Sequence, residues 1–158
     1  MYFNFMRTVI QRVQHAHITI DHSTQKSIGK GLVVLLGIEK DDTRDDVIWL
    51  CGKIARLRIF GDENDKMNLS VQDIKGEIMA VSQFTLHAST KKGNRPSWIK
   101  AADPEQAEPM YQEFIQEMQS YQENRVIVTG EFGAHMDIEL INDGPVTIMV
   151  DSPSERVC

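Results

Sequence analysis

Cysteine is scarce in this chain: Cys51 and Cys158 are its only two. That count excludes a disulfide framework as the source of stability. Cys51 falls in a helical apolar pattern and reads as a small core residue rather than a nucleophile. Long hydrophobic runs are missing as well. No apolar stretch approaches the roughly 20 residues that span a bilayer, so no membrane segment is expected. Met1-Tyr2-Phe3-Asn4-Phe5 has neither a basic n-region nor a long apolar h-region, which argues against a secretory signal and for a reducing, cytoplasmic setting. Positive charge is also short, with 17 Lys and Arg against 23 Asp and Glu and a net charge of −6. Such a balance opposes general nucleic-acid binding, which depends on neutralising phosphates. The familiar catalytic signatures are absent too. No Gly-x-Ser-x-Gly surrounds Ser82, and the chain has neither a P-loop nor a dinucleotide fingerprint.

What is present is an ordinary globular composition, 41% hydrophobic and 25% charged over 158 residues, which suits one domain with a sizeable core. No repeat, linker or low-complexity segment divides residues 1–158. Met6 to Val13 and His15 to Ile20 read as strands, the second alternating cleanly between Ala16, Ile18, Ile20 and His15, His17, Thr19. Leu32 to Ile38 is a continuous apolar run that suits a strand buried on both faces. Thr43 with Asp46 forms a capping-box signature, and Val47, Leu50, Cys51, Ile54 and Leu57 follow at helical spacing. Leu57 to Phe60 and Glu77 to Leu86 are expected as strands. His87 to Ala102 is expected as a long loop, a kind of segment that tends to carry function. Asp103-Pro104-Glu105-Gln106 starts a second helix, with a kink or restart expected at Pro109. Arg125 to Thr129, Ala134 to Ile141 and Val146 to Asp151 are expected as closing strands. This order implies an α/β or α+β domain, with two helices covering one face of a largely antiparallel or mixed sheet.

Several residues invite a chemical reading. Ser82, Gln83 and Thr85 stand where an apolar strand turns polar, so they could aim hydroxyl and amide groups into a cleft; strand-end capping would use the same residue types. Asn142-Asp143-Gly144-Pro145 has turn composition, and Gly-Pro admits a cis peptide. Lys91, Lys92, Arg95 and Lys100 fall within ten residues, with Asp103 the nearest acid. They form either a solvated loop or a local phosphate contact. His15 and His17 share a strand face and could pinch a metal, but no Cys or acidic cluster of suitable spacing accompanies them, so no metal is expected.

Ser82-Gln83-Phe84-Thr85-Leu86 and Asn142-x-Gly144-Pro145-Val146-Thr147 together resemble the two signature segments of D-aminoacyl-tRNA deacylases. The resemblance continues through Met6-Arg7-x-Val9-Ile10-Gln11-Arg12-Val13, Gly29-x-Gly31-Leu32 and Leu57-Arg58-Ile59-Phe60. Lys66-Met67-Asn68-Leu69-Ser70, Lys92-Gly93-x-Arg95-Pro96-Ser97 and Phe132-Gly133-Ala134-x-Met136 extend it. It spans residues 6 to 152 in order. Two departures stand out. Met1 to Phe5 precede the usual start, so that either Met6 is the initiator or these residues are a short extension, and His87 and Trp98 replace other, often aromatic, side chains.

The resemblance implies an α/β fold, a single compact domain of mixed and antiparallel β-sheets covered by two helices and layered β/β/α. It also implies a homodimer with the active site at the subunit interface, reached by the Gly-Pro turn of the opposite subunit. The implied activity is hydrolysis of the ester in D-aminoacyl-tRNA. Ser82, Gln83, Phe84 and Thr85 would be the catalytic segment, with backbone N–H groups near Phe84 and Thr85 as oxyanion donors. Thr85 as nucleophile, Thr85 orienting water, and the substrate's 2′-hydroxyl remain alternatives. Gly144 and Pro145 would set chiral selectivity, rejecting an L side chain by a main-chain wall and leaving glycyl-tRNA as a further substrate. Thr147 and Arg7 would support that turn. Met67 and Asn68 would hold the terminal adenosine, and Lys91, Lys92 and Arg95 would touch tRNA phosphates. No cofactor is implied. The competing reading is a non-catalytic module that grips the tRNA 3′ end.

Overall fold

A computed structural model of the chain describes residues 5–153; Cys158 and residues 1–4 of the expected extension lie outside that range. The alternating N-terminal segment forms one strand, β1 (Arg7–Ile20), rather than two. Its burial phase slips partway: Thr8 and Ile10 are buried, then Val13, then Ala16, Ile18 and Ile20. A strand whose buried positions change phase must bend, because each side chain's face is fixed by alternation. The bend coincides with register shifts against β8 (Met136–Asp151) between Gln11 and Val13 and between Val13 and His15.

β1 runs antiparallel to β2 (Thr24–Ile28), β3 (Gly31–Gly37) and β8. β3 continues the sheet in parallel to β6 (Glu77–Ser82), and β6 in parallel to the short β7 (Val128–Thr129). β4 (Phe60–Gly61) and β5 (Met67–Leu69) form a separate two-stranded ribbon. α1 (Arg44–Arg56) and α2 (Pro104–Ser120) pack side by side against the sheet.

The bend in β1 creates two cores. Ile10, Leu32, Val34, Leu36, Ile78 and Ala80 pack against Leu50 and Ile54 of α1 and Tyr111, Phe114 and Met118 of α2. On the opposite face, Ile18, Ile20, Ile138 and Leu140 fold over Val33, Leu35, Met79 and Val81. The result is β/β/α layering, as expected. Tyr111 donates its hydroxyl hydrogen to the Ala80 carbonyl at 2.7 Å, fixing α2 to the sheet. Cys51 is fully buried, and burial pushes its thiol well above the ordinary cysteine range, so its role is packing.

Several boundaries differ from the sequence reading. The strand expected over Glu77–Leu86 ends at Ser82, where the ladder to Leu36 stops, and Phe84–His87 coils into a 3₁₀ turn. The strands expected over Leu57–Phe60 and Arg125–Thr129 shrink to β4 and β7. The two closing strands are one strand, since the Asn142–Val146 segment is a bulge within β8 rather than a reversal. α2 runs unbroken through Pro109, whose missing N–H falls on the exposed side of the helix. No described helix is long and apolar enough to cross a membrane.

Candidate active site

Parallel β3 and β6 end together, and ligand sites in such sheets form beyond the carboxyl ends of the strands. A cavity of about 550 Å³ opens there. Ser82, Gln83 and Phe84 form one wall, Trp98 and Ala101–Ala102 a second, and Phe132–Met136 a third. The start of α2, at Asp103–Pro104 and Ala107, closes the inner end. Phe84 is 53% exposed and Trp98 41%. Their rings meet edge to face at 5.3 Å, an aromatic pair held at the mouth rather than in a core.

The polar groups follow from the change of conformation at Gln83. Its N–H still donates to the Leu36 carbonyl at 2.7 Å, the last bond before the chain coils. The next residues begin the 3₁₀ turn, and the first N–H groups of such a turn have no acceptor inside it. Phe84 and Thr85 supply those donors. The Gln83 amide also donates to the Thr85 hydroxyl, which fixes both side chains relative to one another. Thr85 itself is not among the residues that line the cavity.

A buried pair supports this wall. His87 Nδ1 donates to Glu39 Oε1 at 3.0 Å, with both side chains at least 95% shielded (3% and 5% exposed). Glu39 also bridges Ala101 through its main chain, and Ala102 N–H donates to the Ile38 carbonyl at 2.9 Å. The pair therefore stands where the end of β3, the 3₁₀ turn and the Ala101 strip converge. Gly37 makes room for it: a Cβ there would stand 2.9 Å from His87 Nε2. Burial raises the Glu39 carboxyl above the usual carboxylate range, opposed by the charges of His87, Lys100 and Arg7. Glu39, the partner of His87, was not anticipated from sequence, because it becomes relevant only when β3 ends beside the turn.

The second signature segment lies elsewhere. Four β8 residues, Asp143 to Val146, stand opposite the single β1 residue Arg12, between the pairs Gln11–Thr147 and Val13–Asn142. The Gly144–Pro145 peptide is cis, and both residues are exposed. Gly144 has φ +157°, and a Cβ on it would meet Val146 N at 2.4 Å. The bulge is pinned from two sides. Asn142 Nδ2 donates to the carbonyls of Arg12 and Val146, each at 3.0 Å. Arg12 Nε donates to the Asp143 carbonyl at 2.9 Å and lies 3.3 Å from its carboxylate, while another guanidinium nitrogen donates to the Ile59 carbonyl at 2.6 Å.

Arg7 does not serve this turn within the chain. Its guanidinium grips both Asp151 carboxylate oxygens at 2.8 Å, opposite it in register, and that hydrogen-bonded pairing raises its pKa. Arg12, further along β1, holds the bulge instead. Thr147 accepts from Gln11 Nε2 at 3.3 Å beside the turn. Met67 and Asn68 belong to β5, away from the cavity, and Asn68 is engaged with Asp62 through its side chain and with Arg58 through its carbonyl. Because Arg12 bonds Ile59 just before β4, this ribbon belongs with the Gly144–Pro145 bulge rather than with Ser82. Lys91, Lys92 and Arg95 are exposed on a loop closed by reciprocal 2.9 Å bonds between Ser89 and Ser97.

Ser82 pairs through Leu36 with Thr8 and Val150, whereas the bulge lies level with Leu32 and Ile78. Strand geometry then places the two segments roughly 13 Å apart along the sheet and roughly 14 Å across it. One copy of the chain does not bring them together.

The family profile described as D-Tyr-tRNA(Tyr) deacylase matches residues 9–151. A D-aminoacyl-tRNA deacylase of Parabacteroides distasonis is 60% identical over 151 residues, covering 96% of this chain and 100% of the relative. One of Flavobacterium johnsoniae is 58% identical with the same coverage. Among solved structures, a c-Myc DNA unwinding element binding protein superposes with TM-score 0.87 at 42% identity, covering 93% of this chain and 99% of the other. A probable eukaryotic D-amino acid tRNA deacylase shares the fold with TM-score 0.81 at 16% identity, covering 94% and 100%.

Proposed function

The chain belongs to the D-Tyr-tRNA(Tyr) deacylase family, and from that membership we propose that it hydrolyses the ester of D-aminoacyl-tRNA, releasing free D-amino acid and tRNA. The observation that carries the reading is the cavity at the end of β6, where Ser82–Phe84 faces Trp98 and the unpaired N–H positions of the 3₁₀ turn. An aminoacyl ester is already activated, so positioning and oxyanion stabilisation supply much of the rate without a strong protein nucleophile. In this reading, N–H groups of Phe84 and Thr85 receive the developing oxyanion. Ser82 and Gln83 position the ester, and Thr85 acts through Gln83. The substrate's 2′-hydroxyl is available to assist the attacking water.

Chirality is set by Gly144 and Pro145, held by Arg12 and Asn142 and contributed by a second copy of the chain. Two features support a homodimer with the site at its interface. The signature segments are too far apart within one copy. In addition, a row of Leu35, Val9 and Met149 crosses three neighbouring strands, and Met149 is 60% exposed. The exposed main chain of Gly144–Pro145 forms a wall that excludes an L side chain by steric conflict rather than by fitting the D form better. Glycine has no side chain to exclude, so glycyl-tRNA is also cleaved. Met67 and Asn68 arrive with the bulge and face the terminal adenosine. Lys91, Lys92 and Arg95 meet acceptor-end phosphates, and the enzyme works in the cytoplasm.

The test is deacylation of D-tyrosyl-tRNA beside L-tyrosyl-tRNA by purified protein. Rapid loss of the D form with the L form spared is expected. Equal rates would refute the wall, and tRNA binding without cleavage of either would favour the binding module.

A further inference from the structure

His22, His135 and Asp137 stand where the C-terminal end of β1 and the N-terminal end of β8 meet, at one end of the long antiparallel pairing. His22 sits in the turn after β1, while His135 immediately precedes β8 and Asp137 is its second residue. Reciprocal main-chain and side-chain bonds staple the two segments: Asp21 N–H donates to the His135 carbonyl at 2.9 Å, and His135 N–H donates to Asp21 Oδ1 at 3.2 Å. The imidazoles of His22 and His135 stack at 4.8 Å with an interplanar angle of 29°. His135 Nε2 lies 3.1 Å from one Asp137 oxygen, and His22 Nδ1 lies 4.0 Å from the other. One nitrogen from each ring and a carboxylate oxygen fall within 4.8 Å of one another.

From this arrangement we propose that His22, His135 and Asp137 form a binding site for a divalent transition metal of the zinc, copper or nickel class. The donor chemistry fits, since imidazole nitrogens and a carboxylate suit these ions and not magnesium or calcium. The spacing fits as well. Bonds of about 2.0–2.2 Å place neighbouring donors roughly 3.3–3.6 Å apart around a tetrahedral ion. His135 Nε2 and Asp137 Oδ1, hydrogen-bonded at 3.1 Å, need part only slightly to admit the ion, and His22, the most exposed of the three, closes the remainder by rotating its side chain. The 4.0 Å separation between His22 and Asp137 is too long for a hydrogen bond, so no direct bond between them competes with an ion. Glu139, two residues along β8 on the same face as Asp137, adds negative charge nearby. His135 also lines the cavity, which puts the ion at its rim with its remaining coordination positions open to solvent. The site was not legible as a motif. Its histidines are far apart in sequence, and the sequence drew attention instead to His15 and His17, of which His17 bonds Ser27.

The experiment is isothermal titration of the full chain with zinc chloride in a non-chelating buffer, repeated with His22→Ala and Asp137→Asn, and with cobalt(II) absorption as a spectroscopic readout. One zinc per chain is expected. Affinity should fall at least tenfold in each variant, and the d–d bands of the cobalt complex should be lost. His22 does not line the cavity, so His22→Ala should retain metal-free activity while losing any effect of zinc on it. Circular dichroism checks that both variants fold. Absence of saturable zinc binding would overturn the proposal, as would binding that His22→Ala and Asp137→Asn leave unchanged. Both outcomes are independent of whether the cavity hydrolyses tRNA esters.

Discussion

Arg12 shows how much one side chain can hold. It bonds the Asp143 carbonyl, lies beside the Asp143 carboxylate and reaches the Ile59 carbonyl, so a single guanidinium joins the bulge to the β4–β5 ribbon. Arg12→Ala should lower deacylation efficiency by about 10- to 100-fold, the scale expected when a positioning contact fails by an ångström. Arg7→Ala removes a partly exposed ion pair with Asp151 and should change stability by only about 1 kcal/mol. Deacylation kinetics beside urea unfolding would separate the two. The sequence placed both arginines on one strand, but which of them meets the turn of the same chain depends on β8 register, which no local pattern reveals. The Glu39–His87 pair gives a second residue-scale expectation. A carboxyl raised on folding binds its proton more tightly in the folded state, so its stabilising contribution is present at low pH. That contribution fades as pH rises above about 4.3, the unperturbed glutamate value. Glu39→Gln should therefore flatten this part of the stability–pH curve and be neutral or mildly stabilising at about pH 7. His87→Phe, which strands the Glu39 charge, should cost about 3–5 kcal/mol, and adding Glu39→Gln should recover much of it. Denaturant melts across pH would contradict this if His87→Phe and the double variant were equally unstable.

Among the elements, helices were the most legible because their signals are local. The expected capping box is present, with Thr43 N–H donating to Asp46 Oδ2 at 2.7 Å, and Asp46→Ala should cost about 1 kcal/mol. α2 begins at Pro104 as its Asp-Pro-Glu-Gln start indicates. α2 continues through Pro109 without a restart, the lost bond lying at its solvent side, so Pro109→Ala should stabilise α2 by about 1 kcal/mol or more, measured by urea unfolding. The strands were harder to delimit. Alternation marks which residues face a core, yet β6 stops at Ser82 because its partner β3 runs out, and β8 passes through a Gly-Pro segment that composition alone reads as a reversal. Those two departures carry the candidate site: one frees the N–H groups of the 3₁₀ turn, and the other exposes the Gly144–Pro145 main chain.

For the whole molecule, the β/β/α layering follows from the bend in β1, which divides the buried residues between two cores. The cavity wall at Ser82–Phe84 was legible as a segment, whereas Trp98, noted only as a departure from the family pattern, joins it through its contact with Phe84. Phe132–Met136 entered through resemblance alone, because its approach to β6 is a consequence of sheet curvature. The separation of the two signature segments within one copy makes assembly the decisive property. A dimer whose sites each take Gln83 from one subunit and Gly144 from the other permits a direct measurement. Gln83→Ala and Gly144→Ala proteins, each expected to be nearly inactive, would be mixed, allowed to exchange subunits, and assayed on D-tyrosyl-tRNA. Random pairing makes half of the dimers mixed, each with one intact site, so activity should return to about a quarter of the wild-type level. No recovery despite demonstrated subunit exchange would contradict a site built from two copies of this chain.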